Sequence, residues 1–178
     1  TGAPGGTARV GMPEVTALPV IVVGTGTTPT AAGVRDAVGA VLRTTTGFAR
    51  LAIGAPGLDE ALWPAAAEGV LLGGYRFDDY KKASSPARAE QVTLHGAPSS
   101  TDASIARARS VASAAALVKD LVTTPAQWLG PQDLADATVE AIADLPVEVT
   151  MLDETELEAQ GYGGILGIGQ GSDRPPRL

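Results

Sequence analysis

Short apolar runs that alternate with amphipathic stretches constrain this chain more than any other feature. Pro19–Val23 (PVIVV) is apolar and bounded by Pro and Gly, the signature of a buried strand. From Thr30 to Arg43, the residues Val34, Val38, Val41 and Leu42 fall on one face, which is helical spacing, and Gly47 offers a stop. Phe48–Ile53 reads as a second strand, with Ala49, Leu51 and Ile53 on one side. Pro64 suits the first turn of a helix running to Gly74. Val92 and Leu94 mark a third strand. Strands alternating with helices imply an α/β fold with a mixed sheet flanked by helices.

The second half is dominated by its helices. Over Thr101–Val122, Ile105, Ala108, Val111, Ala112, Ala115, Val118 and Val122 recur at threes and fours, and Pro125 ends the run. Alanine takes three of these seven positions, so a neighbour can pack close. Pro131 opens another helix, with Leu134, Thr138, Ile142 and Leu145 on a stripe. VEVTM (Val147–Met151) alternates as a half-buried strand does. Asp153 followed by Glu156 is a capping box, and Gly161 suits the end of the short helix it starts. The loop Thr123–Gly130 and the helix before it form the expected boundary between two folding units.

Composition removes several classes of function. Aromatics are only seven of 178 residues, so the core must be built from aliphatic side chains with close backbone approach at glycine. With 20 acidic and 13 basic residues the net charge is −7, and no basic stripe of the kind nucleic acid selects is present. The absence of cysteine excludes disulfides and thiolate metal sites and fits a reducing cytosol. No apolar run approaches the ~20 residues of a membrane span, and no signal peptide is apparent. The opening TGAPGG is loop-like, and the chain reads as trimmed at both ends.

Four places invite a chemical reading. VIVVGTGTT carries Gly24 and Gly26 after a strand, yet the third glycine of a dinucleotide fingerprint is Pro29 here. The acidic ribose ligand expected ~20 residues on is also missing, since Arg43–Gly47 is RTTTG. Backbone amides there could still cradle an anion, but a plain strand-to-helix turn accounts for the pattern. His95, the one histidine, sits at a strand end and reads as a surface or structural residue; HExxH zinc chemistry needs a second. Asp78 and Asp79 in YRFDDYKK could pair as acid and base. Their neighbours Arg76, Lys81 and Lys82 point instead to a solvated, salt-bridged loop. Asp153, Glu154, Glu156 and Glu158 are explained by capping and the helix dipole. Trp128 reads as a packing anchor. GIGQGS (Gly167–Ser172) spaces its glycines every second residue, unlike a phosphate loop. With Pro175-Pro176 it reads as a tight turn delivering the chain into a new strand at Arg177-Leu178.

Three stretches, EGVLLGGYRFDDYKK (Glu68–Lys82), VKDLVTTPAQWLGPQDLA (Val118–Ala135) and VEVTMLDETELEAQGYGGILGIGQGSDRPPRL (Val147–Leu178), together resemble the leucyl (cytosol) aminopeptidase family of two-metal peptidases. They stand in that family's order and about its spacing. Before Glu68 only the strand-helix-strand pattern matches. The resemblance implies a macro-domain-like amino-terminal domain over residues 1–113, a connecting helix and loop over 114–130, and the first elements of an α/β peptidase domain over 131–178. It implies a full-length cytoplasmic enzyme, assembled as a homo-hexamer of two stacked trimers, that removes amino-terminal residues from peptide substrates. Its cofactors would be two divalent ions, zinc or manganese. The motif carrying the family's metal ligands has no match here, so no catalytic, cofactor-binding or metal-ligating residue is assigned, and this segment is expected to bind no metal. Its own role would be assembly and access to the active site. The alternative is a macro-like module that binds ADP-ribose or a related nucleotide through amides of Gly24–Thr28 or Gly54–Leu58. Membrane and nucleic-acid partners are not expected.

Overall fold

A computed structural model describes residues 2–81 and 86–178. The chain divides into two compact units, Thr1–Leu117 and Val118–Leu178. The first unit opens with β1 (Thr7–Val10) and β2 (Val20–Val23), paired antiparallel with Thr7 opposite Val23. The helix α1 (Ala31–Thr44) follows, then β3 (Arg50–Gly54), a 3₁₀ turn (Glu60–Leu62), α2 (Trp63–Gly74) and β4 (Gln91–His95). β3 and β4 run parallel, with Arg50 opposite Gln91 and Gly54 opposite His95. The α/β class and the mixture of strand directions are therefore present, as two small sheets with helices. β1 is the strand that the loop-like opening conceals. Four residues alternating T-A-R-V carry too little pattern to declare themselves, and only their partner β2 makes them a strand.

The core of this unit lies where α1 and α2 meet β3 and β4. Val34, Val38 and Leu42 of α1 and Trp63, Ala65 and Ala66 of α2 are buried together. Leu51, Ile53, Val92 and Leu94 pack against them from the parallel strands, using alternate positions as a half-buried strand must. The two helices approach closely because glycine lines the seam. A Cβ on Gly73 would stand 2.6 Å from Gly39 Cα, and one on Gly69 would stand 2.5 Å from the Arg35 carbonyl. Arg35 and Glu68 bridge the pair at 2.6 Å from half-exposed positions. The ends are conventional. Thr30 Oγ1 accepts from the Gly33 amide at 3.1 Å, and Arg88 Nη1 donates to the Gly73 and Tyr75 carbonyls at the carboxyl end of α2.

α3 (Thr101–Thr123) carries the expected periodicity, but burial does not follow it. Ala108 is buried, whereas Val111, Val118 and Val122 are 52%, 58% and 79% exposed. The second unit continues with α4 (Pro131–Ile142), α5 (Glu154–Ala159) and α6 (Gly163–Gly169). α4 forms where Pro131 announces it, yet Leu134 on the expected stripe is exposed and no residue of the helix is fully buried. Leu157 of α5 is the one buried hydrophobic residue among those described in this unit.

Two expectations fail here. Of the tight turn expected over Gly167–Ser172, Gly167–Gly169 instead close the helix Gly163–Gly169, and Arg177-Leu178, expected as a new strand, is assigned to none. Ile165 and Leu166 find partial burial on a helix that packs against α5, and that tertiary gain overrides the poor helix propensity of glycine. Only afterwards does the chain turn, with the Ser172 amide donating to the Gly169 carbonyl at 3.0 Å. Gly169 lets the tail fold back, since a Cβ there would lie 3.1 Å from the Pro176 ring. The second failure is VEVTM, which forms no ladder. Val147 and Val149 are 54% and 42% exposed, because alternation specifies a strand only when a neighbouring strand supplies hydrogen bonds.

Candidate functional site

The glycine turn after β2 is committed to the chain itself. Gly24 N–H donates to the Gly6 carbonyl at 2.8 Å and Gly26 N–H to the Gly2 carbonyl at 3.0 Å. A Cβ on Gly24 would fall 2.2 Å from the Ala3 carbonyl, and Gly26 takes φ +81°, so both positions need glycine for close approach and turning. An open groove of about 670 Å³ lies beside this turn, lined by Ala3, Pro4, Thr25, Thr28 and Thr30 among others. Its amides at Gly24 and Gly26 are already used, and Thr30 caps the helix behind it. Gly54–Leu58, the other proposed cradle, closes on itself as well, with Leu58 N–H bonded to the Ala55 carbonyl.

The remaining sequence candidates are spread apart in role. His95 is the last residue of β4, exposed, opposite Gly54. Asp78 is held by Arg76 at 2.7 Å and Lys81 at 3.1 Å, and Lys81 also donates to the Phe77 carbonyl. Partial desolvation opposes ionisation of Asp78, but the hydrogen bonds from Lys81 and Arg76, with their charges, outweigh it and hold the carboxyl below the usual carboxylate range. This is the salt-bridged loop that the flanking charges suggest; Lys82 lies outside the described residues. Tyr80 in the same loop takes φ 63°, and its ring meets Phe77 with centroids 6.1 Å apart.

In the second unit, Asp153 accepts from the Thr155 and Glu156 amides at 2.9 Å while Glu156 accepts from the Asp153 amide at 3.0 Å, the reciprocal capping box. Glu154 pairs with Arg177. Trp128 is 56% exposed, not a buried anchor. It borders a groove of about 400 Å³ with Pro131, Gln132, Asp133, Asp173 and Arg174. Arg174 organises that groove. Its Nη1 and Nη2 donate to the carbonyls of Ala126 and Gln127 at 2.6 and 2.7 Å, a two-pronged clasp on the loop before α4. Gly130 makes room for it, because a Cβ there would lie 2.8 Å from Arg174 Cδ. Arg177 does similar work nearby, donating Nε to Gln132 Oε1 at 2.6 Å. Sequence reading passed over both arginines; the signal available was their position either side of Pro175-Pro176, where an extended backbone carries side chains outward.

Chemically, these clusters hold the chain in place. The Arg174 clasp spends its two terminal nitrogens on carbonyls, and Asp78, Asp133, Asp153, Glu154 and Glu156 serve caps and ion pairs. Among the described residues no group of three or more His, Cys, Asp or Glu side chains is placed to hold a metal ion, so no metal-dependent step is assigned to them. Among the same residues no helix is long and apolar enough to cross a membrane.

Comparison with known proteins brings these observations to a family. The catalytic-domain profile of the cytosol aminopeptidase family matches residues 116–178. A protein of Leifsonia xyli subsp. xyli named "Probable cytosol aminopeptidase" is 45% identical over 147 residues, covering 81% of this chain and 30% of that protein. One from Streptomyces avermitilis with the same name is 35% identical over 197 residues, covering 100% of this chain and 38% of the other. The chain thus spans well under half the length of these relatives. Among solved structures, the bottromycin maturation enzyme BotP superposes with a TM-score of 0.82 at 29% identity, over 99% of this chain and 39% of that one; BotP has also been solved in complex with Mn. A mutant of tomato leucine aminopeptidase shares the fold, with a TM-score of 0.78 at 20% identity over 99% of this chain and 37% of its own.

Proposed function

Because the chain belongs to the cytosol (leucyl) aminopeptidase family, we propose that it is the amino-terminal portion of a metal-dependent aminopeptidase that removes amino-terminal residues from peptides. The observation that carries this is the 45% identity over 147 residues with a relative so named. In this reading residues 1–113 form the amino-terminal domain, 114–130 connect it, and 131–178 begin the peptidase domain. The division between Leu117 and Val118 and the profile match from residue 116 both support such an arrangement. The segment itself is non-catalytic, serving hexamer assembly and access to a peptidase site whose two zinc or manganese ions are held by other parts of a cytoplasmic full-length enzyme. Those ions would generate a hydroxide nucleophile near neutral pH and polarise the scissile carbonyl.

The test compares two samples on leucine p-nitroanilide with added Mn²⁺ or Zn²⁺. The full-length protein turns over and loses activity to a chelator, while the 178-residue chain is inactive with either ion. A full-length protein that is inactive with both ions overturns the reading. Titration with ADP-ribose addresses the alternative: a saturable melting shift of the 178-residue chain would favour a nucleotide-binding module over an access and assembly domain.

A further inference from the structure

We propose that Arg76 and Arg88 form a two-way latch, which fastens the turn after α2 to the chain entering β4 so that the turn is held or released as one unit. The device is conformational. It comes from the geometry of this chain alone and does not depend on the peptidase reading.

Each arginine reaches across to the other's side. Arg76, just past the end of α2, donates Nη1 to the Pro86 carbonyl at 2.6 Å. Arg88, just past Pro86, donates Nη1 back to the Gly73 and Tyr75 carbonyls at 3.0 and 2.5 Å. Guanidinium groups therefore join residues 73–76 to residues 86–88, with charge-assisted bonds that are stronger than neutral ones. One side of the latch is anchored. The Ala87 carbonyl accepts from the Gly47 amide at 2.9 Å, and the Glu90 amide donates to the Ala49 carbonyl at 2.9 Å. The side free to move is the turn after α2.

The turn depends on the latch for its shape. Asp78 accepts from Arg76 Nε and from Lys81 Nζ, which orients the guanidinium that reaches Pro86. Lys81 in turn donates to the Phe77 carbonyl, so the turn is tied to Arg76 through Asp78. Tyr80 sits at φ 63°, a left-handed conformation that a bulky residue keeps only while its surroundings impose it. Arg88 supplies the reason for two discrete states. Its Nε is buried and, among the described residues, has no hydrogen-bond partner. A guanidinium so desolvated stays in place only while its carbonyls are there to hold it, and on leaving it regains water at Nε. Tyr75, whose carbonyl Arg88 holds, is the neighbour of Arg76. Losing either clasp thus loosens what the other grips.

Chymotrypsin reads the latch at Tyr80, a cleavage site that neither arginine substitution removes. Cutting a native loop requires local opening, and under gentle proteolysis its rate follows the open population. In the full-length protein, Arg76→Gln and Arg88→Gln are each expected to speed cleavage after Tyr80 by ~10-fold, the worth of such bonds at a partly exposed site. The double variant should gain little over either single one, because both substitutions release the same latch. Cleavage after Phe48, which precedes β3, should keep the rate of the unsubstituted protein. Arg76→Lys keeps the charge, but an ammonium cannot serve Asp78 and Pro86 in a fixed fork, so it should cleave as Arg76→Gln does. Arg109→Gln removes an exposed charge from α3 and should change nothing at Tyr80. The latch is overturned by an unchanged Tyr80 rate in either Gln variant, or by two factors that multiply in the double variant. It is overturned equally by acceleration at Phe48 to the same degree, which would mean loss of the whole unit, by an unsubstituted rate in Arg76→Lys, or by a faster cut in Arg109→Gln. No readout uses peptidase activity, so failure here leaves that reading untouched.

Discussion

At the residue scale, arginine decides more than any other side chain. Arg174 stands 48 and 47 positions from the carbonyls of Ala126 and Gln127 that it grips, so nothing local could announce it. Replacing it with Ala should cost ~1 kcal/mol, the ordinary worth of such bonds at an exposed site. Lys should fail to restore it, because an ammonium cannot hold two carbonyls in a fixed fork. Urea unfolding followed by far-ultraviolet circular dichroism measures both variants. Asp78 makes a second prediction, one of pH. Arg76 and Lys81 depress its folded pKa, so its contribution is present above the unfolded value and disappears as pH falls through the folded one. Carbon-detected NMR should find its carboxyl titrating below ordinary aspartates, and Arg76→Gln should move the midpoint upward. This pairing was readable in advance, since the partners are two and three residues away. The tasks of Gly24 and Gly26 were not, because their partners lie in Gly2–Gly6, a stretch with no pattern of its own.

At the scale of elements, α1, α2, β3 and β4 were legible because each carries its own period or bounded apolar run and then turns the face that the pattern marks to the core. β2 forms where PVIVV announces a strand, but not the buried one expected, since none of its residues is buried and Val22 is 52% exposed. The closeness of α1 and α2 was not legible. It depends on Gly39, Gly69 and Gly73 meeting across the α1–α2 seam, where glycines far apart in sequence come together. Gly73→Ala should therefore destabilise the first unit by about 1–3 kcal/mol, the usual cost of forcing atoms into a packed interior. Gly74→Ala, with nothing within 4 Å of its Cβ, should be neutral or slightly stabilising. Chemical denaturation of the two variants side by side separates packing from propensity. α6 and VEVTM misled for opposite reasons. Glycine in α6 disfavours a helix that packing then supports, and β-branched alternation in VEVTM favours a strand for which no described neighbour provides a ladder.

For the whole molecule, the contrast between units carries the prediction. Residues 1–117 surround a cluster in which six residues are buried together, while in 118–178 Leu157 is the one buried hydrophobic residue described. Buried apolar area sets resistance to opening, so native-state hydrogen exchange should find the slowest amides in α1 and α2. Those of α4, α5 and α6 should exchange by smaller openings at lower denaturant. Similar protection throughout would mean that the two units unfold together. The membership of the chain in the cytosol aminopeptidase family could be read from three ordered stretches, and its α/β class from alternating periods. Both are properties of local pattern and order along the chain, which sequence carries directly. Which glycines touch, which carbonyls Arg174 holds, that GGILGIG coils and that Leu152 meets Leu178 were settled only in three dimensions. Each depends on a partner distant in sequence or on burial gained after the chain has folded, and no residue encodes that alone.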